Sequence, residues 1–250
     1  MKSTKEVKSA VVPTQEPPLI GSSSGLVSAT IEAVTRHIQD QALMPGDRLP
    51  SEAAMSRELG VSRTVVREAF RSLDAMHIIK LATGKRAKVA RIDFGAMSLM
   101  IEHGVHTDQI GIQHIYDVRR TIETRIVALA SMRRSEQEAS ELLEIVAAMR
   151  ATVEDPARLM EHDLAFHAAL ANASRNPVFG LLVGSFQGIT RQTWPIGWKS
   201  RSTVEAREVM IATHESIAER VAAGDQVGAV DLMAQHFDES LRALVKAGMA

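Results

Sequence analysis

The chain contains no cysteine, and aromatic residues make up only 4% of its 250 positions. Without cysteine, neither a disulfide framework nor a thiolate metal site can form. With so few aromatics, the cores must be built from Leu, Ile, Val, Ala and Met, a composition that favours helices. No apolar run approaches the ~18 residues of a membrane span, and the N-terminus lacks an apolar signal core. These absences predict a soluble, cytoplasmic protein with no membrane partner.

The net charge of −1 conceals an asymmetry along the chain. Residues 26–92 carry eleven Lys and Arg against seven Asp and Glu, whereas residues 93–250 carry fifteen against twenty-one. A basic module followed by an acidic one indicates that the first module, and not the second, meets a polyanion.

Three segments follow from composition and periodicity. Residues 1–24 hold three prolines and end within the run "GSSSG", which is typical of a flexible tail. Residues 25–92 alternate short helical patterns with two β-like runs, and residues 93–250 are helical in period throughout. The predicted fold class is mostly α, with a winged helix-turn-helix followed by an all-α bundle of six or seven helices.

Several signals predict where the bundle helices begin. Ser135 and Ser202 each precede a glutamate by three residues, which is the spacing of a capping box. Asp155 and Asn176 each precede a proline, so that an N-cap is followed by proline at the first helical position. A long helix is predicted over residues 108–133.

The stretch "TRQTWPIGWK" contains both tryptophans of the chain. Pro195 predicts a kink or break in this helical-looking segment. Trp194 and Trp198 either line a pocket or pack in the core or in a dimer interface.

The stretch "SRELGVSRTVVREAF" predicts two short helices that meet at a sharp turn. The second helix opens with Ser62, Arg63 and Thr64 and carries Arg67 one turn later. Its apolar residues can face a small core, which turns these polar residues outward. A helix N-terminus of this kind suits contact with phosphates and base edges, and Arg can pair with guanine in the major groove.

A predicted hairpin follows, with its turn at Thr83 and Gly84. Lys85, Arg86 and Lys88 make it basic, which suits a wing lying along a DNA backbone. The alternative is a helical hairpin with a solvated basic face. The turn, the hairpin and the charge asymmetry all favour the winged helix-turn-helix.

The stretch "PGDRLPSEAAMSRELGVSRTVVREAFRSL" resembles the N-terminal signature of the GntR superfamily of bacterial transcription regulators. The resemblance implies a double-stranded DNA operator as partner. By position it implies operator contacts from Ser62, Arg63, Thr64, Arg67, Thr83 and Gly84. Many relatives have Arg directly after "PSE", where this chain has Ala53, so we expect that contact to be absent and the operator preference to differ.

The stretch "EHDLAFHAAL" places two polar residues on an apolar stripe. Leu159, Asp163, Phe166, His167 and Leu170 follow the period of a core-facing helix. Burying a carboxylate without a partner costs several kcal/mol, so Asp163 needs a compensating group.

Two further histidines, His214 and His236, also lie on apolar stripes of later predicted helices. One aspartate and three histidines from three helices can form the ligand set of a divalent transition metal, which would compensate Asp163. For each histidine taken singly, the alternative is a core residue with satisfied hydrogen bonds.

The order Asp163, His167, His214, His236 resembles the ligand pattern of the FCD domain, the helical ligand-binding domain of FadR-like regulators. The resemblance implies a bound zinc, with nickel or manganese as alternatives, and free positions for water or an effector carboxylate. An Arg that commonly reaches the effector pocket in this family corresponds to Arg119. The alternative for Arg119 is a pair with Glu123 on its own helix.

Together these features predict a transcriptional repressor, not an enzyme, that binds a palindromic operator as a homodimer. A small carboxylate, such as a sugar acid or hydroxy acid, would release it. Two alternatives are a regulator whose signal is the ion itself and a metal-dependent enzyme, although no Glu or His is placed by sequence as a general base beside the metal.

Overall fold

The computed structural model describes residues 23–249, which form eleven helices and one two-stranded sheet. The mostly α fold class is therefore confirmed. The predicted tail lies outside the described residues, except that Ser23 and Ser24 begin the first helix. The chain divides into two compact units, the first ending at Ile92 and the second beginning at Asp93. None of the helices in residues 23–249 has the length and apolar character needed to span a lipid bilayer.

The first unit contains three helices and a hairpin. Its elements are α1 (Ser23–Asp40), α2 (Glu52–Leu59), α3 (Arg63–Ala75), β1 (Ile79–Lys80) and β2 (Lys88–Val89). Ser51 and Ser62 cap α2 and α3 by accepting from the backbone N–H three residues on, as Ser, Thr, Asp and Asn do at helix N-termini. Gly60 ends α2 in the left-handed region, with φ +67°, which glycine adopts without strain. The turn between α2 and α3 is thus fixed locally.

The core of the first unit lies between α1, α3 and the hairpin. It consists of Val34, Leu49, Met55, Val66, Phe70, Leu73, Ile79 and Ala87. The opposite face of α3 leaves Arg63, Thr64 and Arg67 exposed. The division of α3 into an apolar inner face and a polar outer face agrees with the predicted helix-turn-helix.

The second unit is an all-α bundle of eight helices in residues 93–249. They are α4 (Gly95–His106), α5 (Ile112–Arg133), α6 (Glu136–Ala151), α7 (Pro156–Ala173), α8 (Pro177–Ser185), α9 (Gln187–Ser200), α10 (Val204–Ala222) and α11 (Gln226–Lys246). The predicted number was six or seven. The additional helix arises because the segment from 177 to 200 is divided at Phe186, which ends α8 and precedes α9.

Most predicted helix starts are confirmed. Ser135 forms the capping box of α6, and Asp155 and Asn176 cap helices whose first residue is proline. The capping box at Ser202 was wrong by one residue, because the Thr203 hydroxyl accepts from Ala206 N–H instead.

Two other predictions about helices were wrong. The long helix begins at Ile112 and not at 108, because Asp108 has φ +55° and the chain turns there. A kink or a break was predicted at Pro195; helix α9 continues through this residue, so the break does not occur. Proline removes one backbone hydrogen bond, but the flanking residues Thr193 and Trp198 are buried in the bundle, and this packing compensates for the loss.

Helix α5 lies at the centre of the bundle and packs against α7, α10 and α11. Helix α9 packs against α7 and α11. The largest fully buried side chains in this unit include Phe166 of α7 and Phe237 of α11. Four helices therefore direct their inner faces toward one region of the core, and the polar residues on those faces meet there.

Candidate metal centre and DNA interface

Three histidines meet inside the bundle. His167 of α7, His214 of α10 and His236 of α11 are all buried, and each offers a ring nitrogen within 4.8 Å of the others. The rings of Phe166 and Phe237 pack edge-on against them. The structure thus brings together the three histidines that the sequence singled out, within an apolar surrounding that strengthens electrostatic interactions.

Asp163 lies one turn before His167 on α7 and is also buried. Its Oδ1 atom is 3.0 Å from Nε2 of His214. Burial raises the pKa of Asp163, but His214 and the other two histidines lower it by more, so the net shift is downward. Asp163 is therefore an ionised carboxylate at the edge of the histidine cluster.

The tautomer of His214 is fixed by its backbone contact. Its Nδ1 atom lies 2.8 Å from the carbonyl oxygen of Met210. A carbonyl only accepts hydrogen bonds, so Nδ1 carries a proton, and whenever the ring is neutral Nε2 presents a lone pair. Among the described residues, the buried Nε2 atom has no hydrogen-bond partner. Its contact with Asp163 has the distance of an ion pair but not the alignment of a hydrogen bond.

This contact fits a shared cation. Two acceptor atoms 3.0 Å apart repel each other unless a positive charge lies between them. Two ligands each about 2.1 Å from one ion and at the angles of common coordination polyhedra are about 3.0–3.4 Å apart. The residues present therefore suit a divalent transition metal, with one carboxylate and three imidazoles as donors.

His167 is oriented by a residue that the sequence analysis did not assign to the site. Its Nδ1 atom contacts Oε2 of Glu123 on α5, and both side chains are buried. Histidines that bind metals usually donate their second N–H to a carboxylate in this way, which leaves Nε2 for the ion. Burial raises the pKa of Glu123, but Arg119 and His167 lower it by more, so Glu123 is ionised.

His236 completes the cluster as a neutral ring. Burial and the charges of His214 and His167 lower the pKa of His236 well below its usual range. A neutral imidazole keeps a lone pair available for an ion.

Arg119 makes the pair on its own helix and also borders a cavity beside the histidines. Its Nε atom donates to Oε1 of Glu123 at 2.8 Å, which is the pair on its own helix. Its Nη1 atom donates to the hydroxyl of Thr190 at 3.1 Å, and the guanidinium lies 4.9 Å from the centre of the Phe237 ring. Arg119 also lines a cavity beside the histidines. The guanidinium is therefore held in one orientation while it faces this cavity.

The cavity beside the cluster is small. Its volume is about 40 Å³, which has space for about three water-sized positions. Its lining includes Asp163, His167 and His236. Trp194 and Trp198 also line it, with their rings stacked at 5.3 Å, and Trp198 belongs to the main core as well. Trp198 therefore lines the cavity and also packs in the main core.

Some cavity residues were not predicted. Thr190, Thr193 and Arg201 line it; the two threonines lie in the stretch that was quoted for its tryptophans but were given no role, and Arg201 lies outside every quoted stretch. The two threonines lie three residues apart on α9, a polar pair on an otherwise apolar face, and that spacing is the only available signal.

In the first unit, the predicted DNA-contacting residues are exposed, some at the start of α3 and some in the hairpin turn. Ser62 caps α3, and Arg63 and Thr64 follow it, exposed. Thr83 and Gly84 lie in the exposed turn between β1 and β2, where Gly84 has φ +70°.

Arg67 differs from Arg63 in having an acidic partner. Its Nε and Nη2 atoms donate to Oε2 of Glu52 at 3.2 and 3.1 Å. The pair joins α2 to α3 and fixes the direction of the Arg67 side chain, which remains about half exposed.

Comparison with known families decides the class of protein. Residues 26–89 match the family described as "Bacterial regulatory proteins, gntR family", and residues 114–239, half of the chain, match the FCD domain. The chain belongs to the GntR family of FCD-containing regulators. The family consists of transcriptional regulators and not of enzymes, so the metalloenzyme alternative is set aside.

Named relatives of this GntR–FCD regulator span most of its length. It is 28% identical over 203 residues to the HTH-type transcriptional regulator LutR of Bacillus subtilis (strain 168), covering 80% of this chain and 92% of the relative. It is 27% identical over 161 residues to the galactonate operon transcriptional repressor of Escherichia coli (strain K12), covering 62% and 69%.

Other similar proteins include an activator and a solved structure. The Glc operon transcriptional activator of Escherichia coli (strain K12) is 31% identical over 164 residues, covering 64% of this chain and 63% of the relative. A solved structure of Streptococcus agalactiae GntR superposes with a TM-score of 0.67 at 22% identity, covering 86% of this chain and 99% of that one. This likeness supports the fold.

Proposed function

We propose that this GntR–FCD regulator is a metal-dependent repressor that binds a palindromic operator as a homodimer and leaves it when a small carboxylate binds. The observation that carries the proposal is a cluster of three buried histidines beside a cavity that Asp163, Arg119 and two of those histidines line. A structural core would not require a carboxylate and an unpartnered imidazole nitrogen in contact.

The ion would be held by Asp163, His167, His214 and His236. Imidazole with carboxylate suits zinc best, and nickel or manganese is an alternative. When bound, the ion would supply coordination positions for a carboxylate or hydroxyl oxygen. Glu123 holds the His167 ring in the required tautomer, and the carbonyl of Met210 does the same for His214.

Arg119 would recognise the effector carboxylate. Glu123 and Thr190 hold two of its nitrogens, so little side-chain entropy remains to be lost when a ligand binds. A guanidinium pairs with a carboxylate through two parallel hydrogen bonds, so it selects the orientation of the ligand as well as its charge. A relative named for the galactonate operon, and thus for a sugar acid, supports this class of effector.

Effector binding would have to change the packing around the cavity. A volume of about 40 Å³ is less than a hydroxy acid requires. The helices that line the cavity would therefore move apart in the effector-bound state. A ligand that favours this state would release DNA only if the operator-bound protein prefers the closed packing.

The DNA-binding head would read the operator through α3 and the hairpin turn. Arg63 and Thr64 are exposed at the N-terminus of α3, where backbone N–H groups also attract phosphate. The hydrogen bond to Glu52 would orient the Arg67 side chain before the protein binds DNA. Ser62, Thr83 and Gly84 would contact the sugar-phosphate backbone of the operator. Two copies related by a two-fold axis would cover the two half-sites.

A second candidate is a regulator whose signal is the ion itself. The small size of the cavity favours it, since an ion with one or two waters fits without any movement. In that case operator affinity would follow metal concentration and would ignore organic acids.

One experiment separates these functions. An operator is first selected from a random DNA library with the metal-loaded, full-length protein. Fluorescence anisotropy then measures its affinity with and without metal, and across a panel of hydroxy and sugar acids. Release by one acid at constant metal supports the proposal, whereas release by chelation alone supports the metal sensor. No specific operator at all would contradict both.

A further inference from the structure

Arg201 lines the cavity beside the histidine cluster. It follows α9 directly, and its side chain borders the same cavity as Arg119, Asp163 and His236. It also borders a solvent-facing groove formed by the start of α10 and the end of α11, with Thr203 and Arg242. Arg201 therefore lies between the buried site and the surface.

The Arg201 guanidinium has no carboxylate partner within ion-pair distance among residues 23–249. Its Nη1 atom donates to the carbonyl oxygen of Gly197 at 2.9 Å. Arg119, by contrast, pairs with Glu123, and the more exposed Arg120 pairs with Asp238. Asp163 and Glu239 act on this partly buried cation only from beyond ion-pair distance, so the environment of Arg201 favours binding of a closer anion.

Local structure holds this guanidinium toward the cavity. Arg207 donates to the carbonyl oxygen of Arg201 at 3.2 Å, and its own guanidinium lies 4.8 Å from the centre of the Trp198 ring. The guanidinium passes close to Gly197, since a Cβ atom there would lie 3.4 Å from Nη1 of Arg201. The position of Arg201 is thus fixed by backbone contacts, and its charge remains available.

The charges around the cavity indicate the class of ligand. Glu123 already neutralises Arg119, and Asp163 neutralises only part of the charge of a divalent ion. One effector carboxylate, bound at Arg119 and the ion, would balance the remaining positive charge at that end of the cavity. A second acidic group on the effector would give Arg201 a direct anionic partner, which Asp163 and Glu239 do not provide at their distances.

We propose that Arg201 binds a second carboxylate of the effector, so that the effector is a short dicarboxylate rather than a monocarboxylate. This inference rests on the proposed function, since it requires the cavity to be the effector site. It assigns Arg119 and the ion to one end of the ligand and Arg201 to the other end, next to the surface groove.

Isothermal titration of the metal-loaded, full-length protein with matched pairs of acids tests the assignment. Succinate is compared with butyrate, and malate with 2-hydroxybutyrate, because each pair differs by one carboxylate. We expect the diacid of at least one pair to bind at least tenfold more tightly. Arg201→Gln should abolish this preference while the bound metal and the affinity for the monoacid stay unchanged.

Two further variants control for charge and for folding. Arg242→Gln removes a cation from the groove but not from the cavity, and the diacid preference should persist. Arg201→Lys keeps the charge without the two-pronged geometry, and it should retain an intermediate preference. If Arg201→Gln does not fold, a full diacid preference in Arg201→Lys overturns the assignment and a reduced one supports it.

The outcomes distinguish this inference from the proposed function. Equal affinities within each pair, or an unchanged preference in Arg201→Gln, would overturn the role of Arg201 and leave the carboxylate-responsive regulator standing. If no acid of either kind bound the metal-loaded protein, the proposed function would fail, and the inference with it.

Discussion

Nε2 of His214 and Oδ1 of Asp163 lie 3.0 Å apart across the interface of α10 and α7, without the alignment of a hydrogen bond. Because the Met210 carbonyl holds a proton on Nδ1, both facing atoms are acceptors when the His214 ring is neutral. A cation shared between them would turn a repulsive contact into a link between two helices. The stability of the bundle should therefore depend on the ion.

His214→Ala should lower metal content and stability together. An ion present at 100 to 1,000 times its Kd stabilises by about 3–4 kcal/mol, which for a domain of this size is a loss of about 10 °C in Tm. Elemental analysis and calorimetry of the purified variant measure both. His162→Ala is the control, because His162 neighbours Asp163 but does not join the cluster. Full metal content in the His214 variant would remove it from the ligand set.

Glu123→Gln tests the support of His167. The substitution nearly preserves shape but removes the charge that Arg119 and His167 share. Metal affinity should fall about 10–100-fold, and the free energy of unfolding by about 3 kcal/mol, because Arg119 is left as a buried, unpaired cation.

The matched control for Glu123 is Glu161→Gln. It breaks the pair of Glu161 with Arg191, in which both side chains are about half exposed, so it should cost less than about 1 kcal/mol. Competition with a chelator gives the metal affinities. Equal affinities in the two variants would contradict the role of Glu123.

The candidate ligands could be found from sequence because helical periodicity is a local property. Asp163 and His167 lie four residues apart on an apolar stripe, so a helix is enough to place both in the core. The role of Glu123 could not be found in this way. Its contact with His167 spans 44 residues and depends on how α5 packs against α7. Arg201 was missed for the same reason, since its importance comes from the cavity that it borders.

The prediction of helix ends is limited in the same way, because only contacts between residues close in sequence can be predicted. The caps at Ser135, Asp155 and Asn176 were predicted because each is a contact within three residues. The continuation of α9 through Pro195 was not, because the burial of Thr193 and Trp198 of the same helix within the bundle offsets the missing hydrogen bond. Local chemistry therefore predicts where helices start, and tertiary packing decides whether they continue.

Glu138→Gln should destabilise the protein at neutral pH and not in acid. The backbone N–H of Ser135 is the main cause of the lowered pKa of Glu138, and Arg175 contributes. A carboxyl with a lowered folded pKa stabilises above its unfolded value of 4.5, and this is lost as the pH falls through the folded pKa. The Tm difference from wild type should be full at pH 7 and shrink below pH 4.5. A difference that is constant with pH would contradict the ionic part of this cap.

Arg63→Ala should weaken specific operator binding by about 1–3 kcal/mol and leave the oligomeric state unchanged. The expected cause is loss of a base contact at the exposed start of α3. Arg125→Ala removes the same charge from an exposed position in the second unit, which controls for net charge. Anisotropy against the selected operator and a scrambled one gives the specificity ratio. An unchanged ratio in the Arg63 variant would remove it from the reading residues.

Arg119→Lys is the sharpest test of effector recognition, because Arg119→Ala would change two things at once. Alanine would leave Glu123 as a buried, unpaired carboxylate, at a cost of about 3–5 kcal/mol, and any loss of response could then reflect instability. Lysine keeps the positive charge beside Glu123 but loses the planar fork that pairs with a carboxylate. Acid affinity should therefore fall about tenfold, while metal content and acid-free operator affinity hold. An unchanged midpoint of operator release would mean that Arg119 only supports Glu123, and that the carboxylate is recognised elsewhere in the cavity.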